Sequence, residues 1–417
     1  MKISMITIGS TGDVRPYILL GRELKKRGHI ISICAFRNFE ATARTEGFDF
    51  IPIDRDASAF MKNVLSNNKG GIDYVNNIHR ELKELAPVMF DAIDKAVSCS
   101  DIVISTYFGS FVRRVAEKYN KLFVQTHFFP MDVNDVSPIA SAKGFCLGHN
   151  YYHFTYKLGY LLINLLERYL TKKYKDDYEL EPNEITSSPV YTINGQKFPV
   201  IYAMSRYVLP PYSEWEDNIH VVGYFFEEKT QNYTPPQELI DFLNAGEKPI
   251  YIGFGSVMSP KIEKYLNITL KALERTNIRA ILVQGWKDFT PPENKNVFTI
   301  GALPHDYIFD KVKAVIHHGG AGTFAAGIKH AKPTYIVPFG GDQSFNALRA
   351  YELGIGPKPL KQEFFTVEKM ERCLNELVEN DEYRINAEIL SKKLADEQGI
   401  DKAIEIIEEY INANKAE

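Results

Sequence analysis

The hydrophobic pattern divides the chain into two successive series of short apolar runs separated by amphipathic stretches. In the first series, Lys2–Ile8, Ile30–Ala35, Ile102–Thr106 and Leu122–Gln125 read as strands. Pro16–Arg27 reads as a helix, with Pro16 near its start and Gly28 at its end, the usual asymmetry of helix termini. Continuous apolar runs between helices predict a parallel sheet covered on both faces. The stretch 130–200 is less regular and rich in aromatics. Within it, Phe145–Leu170 reads as a helix with a wide apolar face. Core packing accounts for such a face, and so does a ligand-lining or membrane-touching surface.

Tyr224–Pro249 changes character, with Thr234-Pro235-Pro236, Gly246 and Pro249 and few large aliphatics, and reads as a linker. Alternation then restarts. Pro249–Phe254, Arg279–Gln284, Val297–Ile300, Ala314–His317 and Thr334–Pro338 read as strands; Lys261–Thr276, Gly322–Lys329 and Asp342–Leu353 read as helices. The pattern therefore predicts an α/β protein of two doubly wound, Rossmann-like parallel-sheet domains, residues 1–225 and 226–399. A charged amphipathic helix within 400–417 is expected to pack back on the first domain. Ligands of such sheets sit outside the carboxyl ends of the strands. Two domains facing a central cleft suit a reaction between two substrates, one held by each.

Composition agrees with two globular cores. The 417 residues are 45% hydrophobic and 24% charged, which excludes a disordered chain. The net charge is −4, and basic clusters are as short as Lys25-Lys26-Arg27 and Lys172-Lys173. A nucleic-acid footprint needs a clustered basic excess. Cys34, Cys99, Cys146 and Cys373 match neither a metal knuckle nor a disulfide framework, so a reducing, cytoplasmic compartment is expected. The apolar start Met1–Ile8 is too short for a signal peptide core, and no apolar run is long enough to span a membrane.

The densest chemistry lies in Val315-Ile316-His317-His318-Gly319-Gly320-Ala321-Gly322-Thr323. An apolar strand runs into a loop of small residues, and a helix begins. Glycines let backbone approach a bulky anion, and a helix start presents unpaired N–H groups. A diphosphate is the natural guest, and His317 adds a ring N–H donor or a positive charge. Gly253-Phe254-Gly255-Ser256 repeats the strand–loop–helix arrangement, with Ser256 as a further phosphate donor. Asp342-Gln343 opens a helix and offers acceptors and donors for vicinal hydroxyls; helix capping by Asp342 is compatible with that role. Trp286 stands where it can shape a pocket or stack on a base, or simply pack, and His305 reads as a surface or capping-region residue.

In the first half, Gly9-Ser10-Thr11-Gly12-Asp13-Val14-Arg15-Pro16 follows the first strand. It lacks the dinucleotide spacing of glycines. Asp13 just before the helix is a candidate base, with an N-cap role as the plainer alternative. Asp54, Asp101 and Asp132 are the other carboxylates weighed, Asp101 as a strand-boundary residue. His127 and Phe128 at the end of a strand, with Phe108, are candidates for lining an acceptor site.

Together these segments resemble the family 1 glycosyltransferases of GT-B fold, in the branch holding sterol glucosyltransferases and glycosyltransferases of macrocyclic and glycopeptide antibiotics. That branch opens with Gly-x-x-Gly-Asp-Val-x-Pro, as Gly9 to Pro16 do here, and carries His-His-Gly-Gly-Ala-Gly-Thr, matched by His317 to Thr323. The resemblance includes Gly253 to Ser256 and Asp342-Gln343 and weakens between about 130 and 220. It implies Asp13 as catalytic base. It also implies donor contacts from Gly12, Ser256, Trp286, Leu303, His317, Gly319, Gly320, Ala321, Gly322 and Thr323, and hexose hydroxyls held by Asp342 and Gln343. The uracil-stacking tryptophan of the plant relatives lies in a Trp-x-Pro-Gln segment; the matching stretch here is Ala302-Leu303-Pro304-His305, so backbone at Leu303 is left to read the pyrimidine. Asp342-Gln343 favours glucose over a deoxysugar.

The implied reaction is an inverting transfer of a hexose, glucose from UDP-glucose, to a hydroxyl of a sterol, polyketide, flavonoid or lipid. Without clustered carboxylates for a divalent ion, N–H donors replace the metal. No cofactor beyond the co-substrate is expected, and a peripheral membrane contact is compatible. A non-hydrolysing nucleotide-sugar epimerase and a non-catalytic nucleotide-sugar-binding partner are the competing readings.

Overall fold

The fold is described from a computed structural model, which describes residues 1–56, 71–106, 109–139, 148–181, 185–227, 233–255, 262–285, 294–360 and 364–415. The chain forms two units, Met1–Phe226 with Glu397–Glu417, and Glu227–Asp396.

The first unit holds a parallel sheet of seven strands. They are β1 (Lys2–Ile6), β2 (Ile30–Phe36), β3 (Asp49–Ile53), β4 (Ile102–Ser105), β5 (Leu122–His127), β8 (Val200–Tyr202) and β9 (Ile219–Val221), ordered β3-β2-β1-β4-β5-β8-β9. The order reverses between β1 and β4, where Ile6 pairs with both Cys34 and Ser105. A small antiparallel hairpin, β6 (Thr192–Ile193) and β7 (Gln196–Lys197), turns through Asn194 and Gly195, both at positive φ. That is the two-residue turn Asn-Gly favours.

The first helix, Thr11–Lys26, begins earlier than the placement of Pro16 predicted, and Pro16 lies inside it. Ser10 is its N-cap, and Asp13 completes a capping box. Side-chain capping stabilises a helix start by about 1 kcal/mol, and the Ser-x-x-Asp spacing sets the start here. Pro16 lacks only the donor that would bond one carbonyl in the first turns.

The second unit has five parallel strands, β10 (Ile250–Gly253), β11 (Ala280–Val283), β12 (Val297–Ile300), β13 (Val315–His317) and β14 (Thr334–Ile336), ordered β12-β11-β10-β13-β14. Its switch point lies between β10 and β13, with Gly253 opposite His317. Apolar clusters lie on the sheet's two sides, one around Ile252, Leu266, Leu273 and Ile316, the other around Tyr251, Leu303, Phe309 and Val315.

The C-terminal helix Ile400–Ala413 buries Ile404, Ile406, Ile407 and Ile411 and packs on Thr11–Lys26. Arg27 pairs with Asp401 at 3.6 Å and Glu408 at 3.3 Å. Each exposed pair is worth about 0–1 kcal/mol, against roughly 1.5–3 for each buried isoleucine, so the apolar face holds the helix down. Gly399 joins it to the unit: its N–H donates to the Val222 carbonyl at 3.1 Å. Its φ is +42°, and a Cβ there would fall 2.3 Å from the Tyr224 carbonyl oxygen.

The helix expected over Phe145–Leu170 spans His149–Tyr178. Tyr152, Tyr156 and Tyr160 are buried, whereas Phe154, Leu158, Leu162, Leu165 and Tyr169 are exposed on one side. Among the described residues, no helix is long and apolar enough to cross a membrane.

A buried polar network follows β5. The Asp132 carboxylate accepts from Tyr191 Oη at 2.7 and 2.8 Å and from Tyr202 Oη at 2.5 Å. Trp215 stacks on Tyr202 with ring centroids 5.5 Å apart and donates to the Val133 carbonyl. Burial pushes the Asp132 carboxyl up to about 6, against the two phenol bonds. A carboxyl with a raised folded pKa contributes stability that is complete below its unfolded value and is lost as pH rises through the folded one. Stability from this group should therefore fall between about pH 4 and 6. Urea denaturation across that window is expected to give a wild-type-minus-Asp132→Asn difference that declines with pH and is flat above it. A pH-independent difference would contradict the assignment.

Candidate active site

Each sheet's switch point carries one group of candidate residues. In the first unit, Asp13 is half-buried in the first turn of its helix. Its Oδ2 accepts from the Ser10 N–H at 2.7 Å and the Ser10 hydroxyl at 3.1 Å. Ser10 Oγ in turn accepts the Gly12 N–H at 3.3 Å. A Cβ on Gly9 would lie 2.2 Å from Asp13 Oδ2, so the carboxylate folds over this glycine and a side chain there would displace it. Burial raises the Asp13 pKa more than the Ser10 hydrogen bonds lower it, which makes the carboxylate a better proton acceptor than an exposed one. Asp13 is thus not the N-cap but its reciprocal partner, and one of its oxygens is oriented by Ser10.

Tyr17, one turn along, is fully buried and shares a 2.6 Å hydrogen bond with Thr126 Oγ1. Phe128 meets Tyr17 edge-on, with centroids 5.7 Å apart. His127 is buried and lies 4.9 Å from the Tyr202 ring. Burial lowers its pKa to about 3, so it is neutral, and its Nδ1 has no hydrogen-bond partner among the described residues. Of the other carboxylates, Asp101 accepts the Lys2 N–H at 2.8 Å, as a boundary residue does. Asp54 pairs with Arg37 at the surface. Phe108 lies outside the described residues.

In the second unit, His317 ends β13 and is completely buried. Its Nδ1 accepts the Gly319 N–H at 3.0 Å, which places the ring proton on Nε2. Burial lowers its pKa well below the ordinary histidine value. Of the two forms left open by the sequence, the structure thus selects the neutral donor over the cation. That Nε2 has no hydrogen-bond partner among the described residues. An unsatisfied buried donor costs about 1–3 kcal/mol, a cost that a ligand oxygen would remove.

The helix Ala321–Lys329 follows with Gly320 at its N-cap and no side-chain cap. The N–H groups of Ala321, Gly322 and Thr323 occupy the positions that lack intrahelical acceptors, and they carry the positive end of the helix dipole. Gly319 has φ +98°, and a Cβ there would sit 2.7 Å from Ile336 Cγ2 and 3.0 Å from the Gln343 carbonyl. The loop is therefore pressed against the start of the helix Gln343–Glu352. Asn346, buried on that helix, fixes the contact by donating to the Gly319 carbonyl at 2.8 Å.

His318 has a role that the sequence did not reveal. A Cβ on Gly320 would lie 2.6 Å from its Nε2, and one on Gly255 3.0 Å from its Cε1. The ring thus fills the space that two glycines leave and lies between the loops after β10 and β13. Burial lowers its pKa to about 4, so this histidine too is neutral. The reason for the glycines is in part the ring between them. His318 was legible only as a member of the motif, and Asn346 only as a residue close to Asp342-Gln343.

Asp342 occupies the N-cap position of its helix, but its side chain makes no capping hydrogen bond. Gln343 Oε1 accepts the Phe339 N–H at 2.7 Å, which commits the carboxamide oxygen and leaves its NH2 group to donate. Leu303 is buried in the core beside β10 and β13, and His305 stacks on Phe309 with centroids 4.7 Å apart, a packing role. Ser256 and Trp286 lie outside the described residues.

The packing separates two glycines of one loop. Gly320→Ala drives a methyl into the His318 ring and is expected to cost about 1–3 kcal/mol, the usual range for overpacking. Gly322 has nothing within 4 Å of an added Cβ, and Gly322→Ala is expected to be neutral or stabilising by up to about 1 kcal/mol. Chemical denaturation of both variants checks this, and equal effects would refute the wedge.

Comparison with known proteins finds relatives along both units. Residues 3–134 match the glycosyltransferase family 28 N-terminal domain, and residues 287–410 match the erythromycin biosynthesis protein CIII-like C-terminal domain. The chain is 32% identical over all of its length to the sterol 3-beta-glucosyltransferase UGT80A2 of Arabidopsis thaliana, of which it spans 66%. It is 28% identical over 97% of its length to the sterol 3-beta-glucosyltransferase of Candida albicans, of which it spans 27%. Among solved structures, the glycotransferase of kitacinnamycin shares the fold at a TM-score of 0.73 and 15% identity, over 98% of each chain. CalG4, the calicheamicin glycosyltransferase, does so at 0.72 and 16%, over 99% of this chain and 98% of its own. With two doubly wound units, a glycine loop at each switch point and these relatives across its length, the chain belongs to the family 1 glycosyltransferases of GT-B fold.

Proposed function

We propose that the protein is an inverting glycosyltransferase that moves a hexose, glucose from UDP-glucose, to a hydroxyl of a lipophilic or aromatic acceptor. The observation that carries this reading is the uncapped helix start at Ala321-Gly322-Thr323 beside the partnerless Nε2 of His317. It lies at the switch point of the second sheet, where such folds bind ligands. The donors there are neutral dipoles already oriented by packing. They stabilise the negative charge that builds on the departing diphosphate at no reorganisation cost, the service a divalent ion gives in other enzymes. Ser256 adds a phosphate donor and Trp286 shapes the pocket. Leu303 contributes backbone groups toward the base. Asp342 and the NH2 of Gln343 hold the sugar hydroxyls.

Asp13 accepts the proton of the acceptor hydroxyl as its oxygen attacks the anomeric carbon. A carboxylate is a far weaker base than an alkoxide, so proton transfer accompanies attack. The capping box holds the carboxyl in place, and its raised pKa improves it as a base. Phe108, His127 and Phe128 belong to the acceptor side. The sterol 3-beta-glucosyltransferases among the relatives support an acceptor with a large apolar body. The free, buried thiols of Cys34 and Cys373 support a reducing, cytoplasmic setting.

The exposed side of the helix His149–Tyr178 supports contact with a lipid surface. Phe154, Leu158, Leu162, Leu165 and Tyr169 are exposed there, and Lys157, Arg168, Lys172 and Lys173 are exposed along the same helix. Apolar side chains interleaved with basic ones suit an anionic bilayer surface, where each basic group adds about 1 kcal/mol.

Incubation with labelled UDP-glucose and a panel of lipophilic alcohols tests the reading: transfer supports it, while epimerisation of the sugar or binding alone replaces it. Asp13→Ala is expected to lower kcat about 10²–10⁴-fold with UDP affinity retained, and His317→Ala to weaken UDP binding by about tenfold in calorimetry. Turnover should survive EDTA; a strict metal requirement would remove the dipole account. In sedimentation with vesicles, binding should require anionic lipid and be lost in Leu158→Gln/Leu162→Gln, and binding unchanged by that pair would exclude this face.

A further inference from the structure

Outside the loops described above, one trio of metal-ligating side chains converges among the described residues: Asp135, His149 and His153. His149 opens the helix His149–Tyr178, and His153 stands one turn later on the same side. That spacing sets two imidazoles on one helical face. Their ring centroids are 3.8 Å apart. His149 Nδ1 lies 2.5 Å and His153 Nε2 3.2 Å from the same atom, Asp135 Oδ1. The edge of Tyr212 meets the His153 ring at 5.4 Å.

We infer that Asp135, His149 and His153 form a surface Zn2+ site that clamps the turn after β5 to the start of this helix. An ion pair would need only one histidine. Here two rings point a nitrogen at one carboxylate oxygen, so both must carry a proton on the facing atom to bond it. A cation bonded to all three atoms removes that competition. Bonds of about 2.0–2.2 Å in tetrahedral geometry place ligand atoms about 3.3 Å apart. The three atoms here lie within 4.8 Å of one another, within reach of side-chain rotation. Two imidazole nitrogens and one carboxylate oxygen suit Zn2+, whereas Ca2+ and Mg2+ take all-oxygen sets. The side chains of His149, His153 and Asp135 are 54%, 20% and 52% exposed, so the ion enters from solvent and water completes its coordination.

The clamp has something rigid to hold. Asn134 Oδ1 accepts the N–H groups of Val136 and Ser137, both at 3.0 Å. Its Nδ2 donates to the buried Tyr156 Oη at 2.8 Å, and the buried Asp132 network precedes it. Asp135 is therefore presented on a fixed turn. The ion closes the chain between residues 14 apart in sequence, and it stabilises the helix start. No step of sugar transfer runs through it, so this site stands or falls independently of the proposed reaction.

The full-length protein, stripped with chelator, should bind one equivalent of Zn2+ in calorimetry and show a higher melting temperature with Zn2+. In His149→Ala/His153→Ala the affinity should fall by about tenfold or more, as loss of a ligand exceeds the loss of an outer-shell partner, and the thermal shift should vanish. Asp135→Asn should weaken binding while keeping the helix content seen by circular dichroism. Co2+ in the wild type should give the visible absorption of a tetrahedral nitrogen–oxygen site without a thiolate band. Absence of saturable Zn2+ binding, stoichiometry unchanged in the double variant, or a thiolate band tracing the ion to the exposed Cys99 would each overturn the assignment.

Discussion

The ring of His318 between Gly255 and Gly320 is the constraint on which the second unit's chemistry rests. It joins the loops that leave β10 and β13, the two strands flanking the switch point. A Cβ at Gly320 would run into the ring, and Gly255, at φ +58°, leaves a Cβ only 3.0 Å from it. The ring works as a spacer because it is neutral: burial holds its pKa near 4, so no charge has to be accommodated between the loops. Asn346 and Gly319 add the second fixed contact, from the opposite side of the loop. The helix start at Ala321 is thereby aimed without a side-chain cap of its own.

Neutrality recurs among the buried histidines of both units. His127, His317 and His318 are all buried and all held below the ordinary histidine range. A cation at His317 would attract a diphosphate strongly, but burying it without a partner costs more than a neutral ring does. The fold resolves this by taking the Gly319 N–H on Nδ1 and leaving Nε2–H as the donor. In the first unit the same economy holds. Asp13 carries the charge, and Ser10 supplies two donors to one of its oxygens, so orientation and partial desolvation come from a helix cap that the fold requires anyway.

Much of the second sheet was readable because its strands are short, fully apolar and punctuated by glycine. Val297–Ile300 was placed residue for residue, and β10, β11, β13 and β14 within a residue or two. The long helices Gly71–Ser98, Val367–Glu379 and Asp381–Ala395, the edge strands β3 and β9, and the short strand β8 beside β9 were not recognised. Strands of three residues such as Val200–Tyr202 carry too few positions for alternation to register, and only their neighbours in the sheet define them. The Asn194-Gly195 hairpin did carry a local signal. The first helix was cut short because Pro16 was read as lying near its start, whereas the Ser10–Asp13 capping box sets the start at Thr11.

By itself the sequence determined two doubly wound sheets, a glycine-rich strand-to-helix loop from His317 to Thr323 and an acidic residue at the first strand's loop, because apolar period, glycine and helix-start chemistry are local properties. Tertiary structure decided what each of these residues does. The proton on His317 Nε2, the wedge of His318, the binding of Gly319 to Asn346 and the folding of Asp13 over Gly9 depend on atoms brought together from different segments. Tertiary structure also brought Asp135 to His149 and His153, 14 and 18 residues away in the chain. Burial and hydrogen-bond partners set the charge and direction of a side chain, and neither can be read from the residues adjacent to it in the chain.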